Sequence, residues 1–242
     1  MNDLADVVVT PVASVEARRI EEEWPWARDN RALIEAHWAR LTADRPALYN
    51  GRVLVRRGQS LKQGRLSLAY VETDYASFIA FRDLGFPDPT TGNSFAMAAL
   101  RAGDGAFILG RMGDHTANAG KVYFPAGTPD PDDVLPDGTV DLGGSVLREL
   151  EEETGLRPAE VAATERWIAT FAGARTALMR DVRAREPATA LCRRIRAFLA
   201  AQTRPELADV CIVRTPADID PDAMPPFMQA FLRFALAEPD QR

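Results

Sequence analysis

The spacing of apolar residues in the first ninety positions predicts a mixture of short helices and strands. Apolar side chains recur three or four positions apart over residues 29–41, and residues 74–82 form another helix, which Asp74 caps and Gly85 ends. Residues 14–23 can also be helical, with Ser14 as the N-cap. Strands are predicted over residues 7–10, 52–57 and 65–72, the last two as a hairpin around a polar turn. This part of the chain therefore has the pattern of an α+β unit.

Beyond residue 92 the pattern changes to strands in pairs, separated by amphipathic helices. Residues 94–100 and 106–111 flank a Gly-Asp-Gly turn, which is typical of a hairpin. Further strands are predicted over 165–171, 176–183 and 209–215, and helices over 142–153, 187–202 and 225–236. The Pro- and Gly-rich stretch 86–93 marks a boundary. We therefore predict an α/β chain, with an N-terminal α+β extension over residues 1–91 and a second domain over residues 92–242.

Composition narrows the class of protein. Of 242 residues, 46% are hydrophobic, which is enough for a real core, and 29 basic against 35 acidic residues give a net charge of −6. No basic run is long enough for a nucleic-acid surface, and no apolar run approaches the roughly 20 residues of a membrane span. The start MNDLADVVVT lacks the regions of a signal peptide, and only Cys192 and Cys211 occur. We expect a cytoplasmic protein that binds neither nucleic acid nor membrane.

The most informative stretch is the acidic helix predicted over residues 142–153. Asp141 is its expected N-cap, and Gly155 its stop signal. Glu149, Glu152 and Glu153 stand at i, i+3 and i+4, so their carboxylates share one face of the helix and repel one another. Mg²⁺ and Mn²⁺ prefer carboxylate oxygens and water as ligands and would relieve that repulsion. The helix therefore has the pattern of a metal-binding element.

Residues 148–156 resemble the second half of the Nudix box. The sequence Arg-Glu-Leu-Glu-Glu-Glu-Thr-Gly-Leu fits the pattern R-E-U-x-E-E-x-G-U, in which U is aliphatic. The resemblance implies an α/β/α sandwich with a mixed sheet and divalent-metal-dependent hydrolysis of a pyrophosphate bond. Glu149, Glu152 and Glu153 are then the metal ligands, and Glu149, Glu152 and Arg148 the catalytic set, with Arg148 orienting a glutamate.

The first half of the box departs from this pattern. Gly127 follows Phe-Pro-Ala as the box glycine does, but it precedes Arg148 by 21 positions, where the family pattern has 14. The extra residues fall within the Pro- and Asp-rich stretch 128–140, which we expect to be a loop at the rim of the site. Val140 stands where the pattern has its first glutamate, a residue that Asp137 or Asp141 could replace.

Two further residues have roles only through the resemblance. Arg111 ends a predicted strand, where family members often carry an arginine that reaches substrate phosphate, and a solvated surface arginine is an equal alternative. Gly127 takes the position of the box glycine, and the resemblance implies that it contacts the substrate. The general base is expected to be a glutamate of the box, and Glu186 is the nearest downstream acid at a predicted strand end.

Several functions remain open at this point. We expect a small-molecule partner, a nucleoside diphosphate derivative such as a nucleoside diphosphate sugar, hydrolysed to a nucleoside monophosphate and a phosphorylated product. A coenzyme A diphosphatase and a non-catalytic nucleotide-binding module are the alternatives, and the missing glutamate at Val140 favours the second. The simplest interpretation of all is a solvated acidic helix in which Arg148 pairs with Glu152 at i, i+4. A homodimer is compatible with the sequence.

Overall fold

The computed structural model describes residues 4–46 and 48–237, which contain eleven strands and six α-helices. The strands are β1 (Val8–Val12), β2 (Ser14–Arg19), β3 (Arg52–Lys62), β4 (Arg65–Asp74), β5 (Asn93–Arg101), β6 (Phe107–Met112), β7 (Val122–Tyr123), β8 (Ala126–Gly127), β9 (Val161–Ala172), β10 (Arg175–Ala184) and β11 (Leu207–Val213). The helices are α1 (Pro25–Asp29), α2 (Arg31–Asp44), α3 (Tyr75–Asp83), α4 (Leu142–Thr154), α5 (Ala188–Ala201) and α6 (Pro226–Ala237).

These elements form two compact units that interleave along the chain. Unit 1 contains residues up to Val12, Phe95–Gly127 and the chain from Gly143 onward, and unit 2 contains Ala13–Ser94 and Thr128–Leu142. One change of unit falls between residues 94 and 95, close to the predicted boundary near residue 92. Strand β1 precedes this boundary but belongs to unit 1, and the stretch 128–142 follows it but belongs to unit 2. The two units are therefore not consecutive in sequence.

Unit 1 is built on a large mixed sheet with the strand order β1-β9-β10-β5-β6-β11. The short strands β7 and β8 pair with β6 and β5. Helix α6 packs through Phe231, whose ring lies 5.7 Å from that of Phe107 and 5.6 Å from that of Phe124. All three rings are fully buried, so they form the centre of this core. The predicted α/β class with a mixed sheet is confirmed.

Unit 2 is a three-stranded sheet covered by helices. The strand order is β2-β4-β3, with β2 parallel and β3 antiparallel to β4. The predicted hairpin is present, and its turn places Gln63 and Gly64 at positive φ. Asp74 caps α3 as predicted, because its carboxylate accepts a hydrogen bond from the backbone N–H of Ser77. Trp24 contacts Phe81 edge-to-face at 4.9 Å in the core of this unit.

The helix predicted over residues 14–23 is wrong, since residues 14–19 form strand β2. Both edges of this strand have partners. One edge is paired with β4, and on the other the Arg19 N–H donates to the carbonyl oxygen of Gly138 over 2.9 Å. The alternation of Val15 and Ala17 with polar residues suits such a strand. Tertiary pairing therefore outweighed the local N-cap signal at Ser14.

The stretch 128–140 was expected to be a loop at the rim of the site and outside the core, and the exclusion from the core is wrong. The Val140 N–H donates to the Ala17 carbonyl over 2.9 Å, and the Leu54 N–H donates to the Pro129 carbonyl over 2.7 Å. Asp133 and Val140 are each only 3% exposed. The insertion therefore forms part of the sheet edge and core of unit 2, and its removal would expose that core.

Every helix within the described ranges is too short or too polar to cross a lipid bilayer.

Candidate active site

Helix α4 is held by an apolar stripe and ends at a glycine. Val146 and Leu150, four positions apart, are both fully buried. Gly155 has a φ of +73°, in the left-handed region that favours glycine, and its N–H donates to the Glu151 carbonyl. A Cβ at this position would lie 2.5 Å from the ring of Phe198 on α5. Gly155 therefore ends the helix and permits the close approach of α5.

The three predicted metal ligands lie at different depths on this helix. The side chain of Glu152 is 62% exposed and that of Glu149 is 15% exposed, while Glu153 is 3% exposed. Glu151 is exposed, in agreement with its position off the shared face. The face that carries the carboxylates therefore runs from solvent at Glu152 into the protein at Glu153.

Arg148 lies between two of these carboxylates. Its Nη2 donates to Glu149 Oε1 over 3.2 Å, and its Nε is 3.9 Å from Glu152 Oε1. The contact with Glu152 is the i, i+4 pair expected of any helix, but the hydrogen bond to the nearly buried Glu149 is a stronger restraint. Arg148 is thus placed to orient Glu149.

Burial makes both inner carboxyl groups hard to ionise. It raises the pKa of Glu149 to about 7, with Arg148 opposing the shift and Glu152 adding to it. The pKa of Glu153 is raised well above its ordinary value by burial and then by the charges of Glu206 and Glu149. A bound cation would reverse this balance, because it stabilises the ionised carboxylates.

Glu206 is a fourth acid at this site, which the sequence did not point out. It immediately precedes β11, and its charge acts on both Glu149 and Glu153. Although the residue as a whole is exposed, protein around its carboxyl group raises its pKa, and Glu152 adds to the shift while His115 opposes it. No motif links positions 153 and 206, so only the folded sheet brings these carboxylates within electrostatic range of each other.

Two atomic details bear on whether the inner carboxylates could hold a cation. Within the described residues, Glu153 Oε2 is buried and has no hydrogen-bond partner, while Oε1 accepts a 3.4 Å hydrogen bond from the Ala126 N–H. A Cβ on Gly127 would lie 2.2 Å from Glu149 Oε1. A buried carboxylate oxygen without a partner is costly, and the glycine leaves the room that Glu149 occupies. Both features suit the oxygen ligands of Mg²⁺ or Mn²⁺.

The carboxylates influence one another electrostatically without forming a coordination shell. In residues 4–46 and 48–237, no three His, Cys, Asp or Glu side chains are already gathered tightly enough to hold a metal ion. Glu152 is the most exposed of the set and has the most freedom to change rotamer. Completion of a shell would therefore require Glu152 to turn toward Glu149 and Glu153.

The remaining predicted side chains in unit 1 have other contacts. Arg111 is exposed on β6, and its Nη1 donates to the Gly120 carbonyl over 3.4 Å. Glu186 accepts a 2.8 Å hydrogen bond from Arg194 on α5, and this arginine compensates the charge of Glu186. The contact of Arg111 with substrate phosphate and the role of Glu186 as a base stay predictions.

Val140 and the two aspartates proposed in its place belong to unit 2. Val140 is buried there, while Asp137 and Asp141 are both exposed. Asp137 accepts a 2.9 Å hydrogen bond from the Thr139 N–H, which lowers its pKa. The position that carries the first glutamate in the family pattern is therefore used for core packing and strand pairing in this chain.

Comparison with known proteins gave matches only among solved structures. No family model and no curated protein matches the chain. A Nudix hydrolase from M. smegmatis, RenU, is similar over 62% of this chain and 89% of its own, with 17% identity and a TM-score of 0.37. The MutT protein from Methanosarcina mazei Go1 is similar over 59% of this chain and 91% of its own, with 19% identity and a TM-score of 0.36. At these TM-scores, a function has to be argued from the residues of α4 and its surroundings.

Proposed function

We propose that this chain is a Nudix-type hydrolase that cleaves a pyrophosphate bond in a nucleoside diphosphate derivative with the help of Mg²⁺ or Mn²⁺. The products are a nucleoside monophosphate and a phosphorylated remainder. The single observation that carries the proposal is the buried, unpartnered Glu153 Oε2 beside Glu149, on the helix that bears the motif of residues 148–156. A structural helix has no use for such an atom, since a Gln or Leu there would avoid the cost of burying a charge.

In this proposal Glu149, Glu152 and Glu153 hold the divalent cations. Cations held there would supply neutralisation of the pyrophosphate charge and a water molecule of lowered pKa for attack on phosphorus. Glu153 fixes the inner position, because its side chain is buried and its Oε1 is tied to the backbone of β8. Arg148 restrains Glu149 through their 3.2 Å hydrogen bond.

The proton from the attacking water requires a carboxylate acceptor. Our assignment is a glutamate of the box, with Glu152 the member that reaches solvent most freely. Glu206 is the second candidate, because it acts electrostatically on the same carboxylates from another element. If Glu206 is the acceptor, its replacement by Gln should lower kcat while metal affinity changes little, whereas replacement of Glu152, which is also a ligand, should lower both.

The incomplete box supports one competing function, a nucleotide-binding module without turnover. Its basis is Val140, which lies in the core of unit 2 where the family pattern has a glutamate. Enzyme and binder are separated by incubating the full chain with ADP-ribose and Mn²⁺ and measuring both nucleotide binding and the release of AMP. Release of AMP that EDTA abolishes supports the hydrolase, and saturable binding without AMP supports the module.

The substrate we propose is a nucleoside diphosphate sugar. The support is indirect: unit 2 is a complete folded unit in addition to the unit that carries α4, more than recognition of a bare pyrophosphate requires. The test is a panel of UDP-glucose, ADP-ribose and coenzyme A. It uses the full chain, because a truncated chain that starts near residue 93 would lose β1 and separate the stretch 128–142 from β2 and β3. Preferential cleavage of coenzyme A would instead favour the diphosphatase alternative.

A further inference from the structure

The first turn of α4 has a low intrinsic helix propensity. It begins Leu142-Gly143-Gly144, and each glycine is about 1 kcal/mol less favourable than alanine within a helix. Residues 128–142, which lead into the helix, belong to unit 2. Within unit 1, contacts that hold the start of the helix therefore come from other elements. A metal-binding helix with a loose start would place its carboxylates loosely as well.

Arg180 on β10 supplies such a restraint. Its Nη1 donates to the carbonyl oxygen of Gly143 over 3.1 Å, and its Nε donates to the carbonyl oxygen of Thr164 over 3.0 Å. The guanidinium lies 5.6 Å from the ring centre of Trp167, its cross-strand neighbour, and the side chain is only 13% exposed. One planar group therefore joins the first turn of α4 to the backbone of β9.

Electrostatics argue against a role for Arg180 in stabilising the helix itself. The N-terminus of a helix carries a partial positive charge, so a cation there is mildly unfavourable. The pair with Glu165 compensates little, since Glu165 is 92% exposed. The guanidinium contributes a fixed geometry instead. Its planar group can donate to two carbonyl oxygens at once, whereas a lysine ammonium acts as a single point donor.

We propose that Arg180 is a positioning residue that sets the placement of α4 and therefore of Glu149 and Glu153. This inference rests on the proposed function. Glu149 and Glu153 follow Gly143 by 6 and 10 positions, so they lie about 9 and 15 Å along the same rigid helix. A displacement of the first turn is therefore carried to the carboxylates. Substitutions that disturb the orientation of metal ligands typically weaken metal binding by about tenfold to a hundredfold.

The experiment compares Arg180→Lys and Arg180→Gln with a matched control, Arg183→Lys. Arg183 lies on the same strand, its side chain is 40% exposed, and its Nε is 3.0 Å from Asp181. Three quantities are measured on the full chain at a temperature where thermal melts show every variant fully folded. They are hydrogen exchange at the start of α4, the dissociation constant for Mn²⁺, and kcat and KM for the substrate.

Both Arg180 variants should exchange faster over residues 143–148, bind Mn²⁺ about tenfold more weakly and lose kcat with little change in KM, while the control resembles the parent chain. Unchanged Mn²⁺ affinity and kcat in a folded Arg180 variant, even one with a lowered melting temperature, would overturn the positioning role. If the parent chain neither binds Mn²⁺ nor turns over substrate, the proposed function fails. The restraint itself is then decided by exchange alone: faster exchange supports it, and unchanged exchange overturns it.

Discussion

Two groups of acidic residues in unit 1 have opposite electrostatic surroundings. On the surface, Glu160 accepts hydrogen bonds from Arg157 and Arg194, and these bonds lower its pKa to about 2. On α4, the partners within the described residues are Arg148 for Glu149 and a long backbone hydrogen bond for Glu153, and burial raises the pKa of both. The fold therefore compensates acids with arginine where they are structural. At α4 it leaves carboxylates short of positive charge, which is the condition that a divalent cation would correct.

The largest effect is expected when the innermost of these acids loses its charge. Glu153→Gln keeps the size of the side chain but removes a ligand charge, so turnover with Mg²⁺ or Mn²⁺ should fall by about a hundredfold to a thousandfold. Glu151→Gln is the matched control on the same helix, because Glu151 is exposed and faces away from the site. Steady-state kinetics on the purified full chain provide the measurement. Equal losses in the two variants would remove the distinction between α4 and an ordinary acidic helix.

A second test creates an uncompensated acid outside the site. Val140→Glu restores the residue type of the family pattern but buries a carboxylate in the core of unit 2, so we expect a loss of about 3 kcal/mol in the free energy of unfolding. Val140→Thr keeps the shape without the charge and should lose less. Urea unfolding measures both. A Val140→Glu variant that is as stable as the parent and more active would show that this position still belongs to the metal site.

The pH dependence of stability sharpens the same comparison. The folded-state pKa of Glu149 is about 7, above its ordinary 4.5, so between these values the folded state binds more protons than the unfolded state. Without divalent cations, Glu149 alone should therefore lower the free energy of unfolding by up to about 3 kcal/mol as pH rises from about 4.5 to about 7. Glu153 and Glu206, whose pKa values are also raised, act in the same direction. Acids with a lowered pKa, such as Glu160, change the free energy of unfolding only below pH 4.5, outside this window.

The measurement is urea unfolding at several pH values with EDTA, repeated with saturating Mg²⁺. Glu149→Gln should reduce the slope in EDTA and leave the part that comes from Glu153 and Glu206, and Mg²⁺ should reduce the slope in the parent chain. Stability that rises across the window in EDTA would contradict the assigned environment of Glu149.

The smallest expected effect comes from Gly127. A Cβ there would meet Glu149 Oε1 at 2.2 Å, so Gly127→Ala should displace this carboxylate and lower kcat by about tenfold with little loss of stability. Gly58→Ala is the control, since the nearest atom to its Cβ, on Ala69, lies at an ordinary 3.4 Å. Equal kcat in the two variants would argue that Glu149 has room to move without consequence.

Local signals in the sequence were sufficient for α4. The helix predicted over residues 142–153 is observed as Leu142–Thr154, because its apolar stripe and the stop at Gly155 act within a few residues of each other. The hairpin around Gln63 and Gly64 and the Asp74 cap were predictable for the same reason. Each of these features depends on neighbours along the chain.

What the sequence did not reveal depends on contacts between distant residues. Residues 14–19 became a strand through pairing with β4 and with residues near 138, and nothing at Ser14 announces those partners. Glu206 reaches the site only through the sheet, and the unequal depths of Glu149, Glu152 and Glu153 depend on what packs over the helix. The helical spacing predicted that these glutamates share one face, whereas their burial depends on the folded structure.

The most direct test of the central claim is a titration of the full chain with Mn²⁺ near pH 7.5 in the absence of substrate. Electron paramagnetic resonance measures the binding. If α4 is a metal site, binding is saturable, at least about tenfold weaker in Glu153→Gln, and unchanged in Glu151→Gln. No saturable binding, or equal affinity in the parent chain and Glu153→Gln, would contradict it.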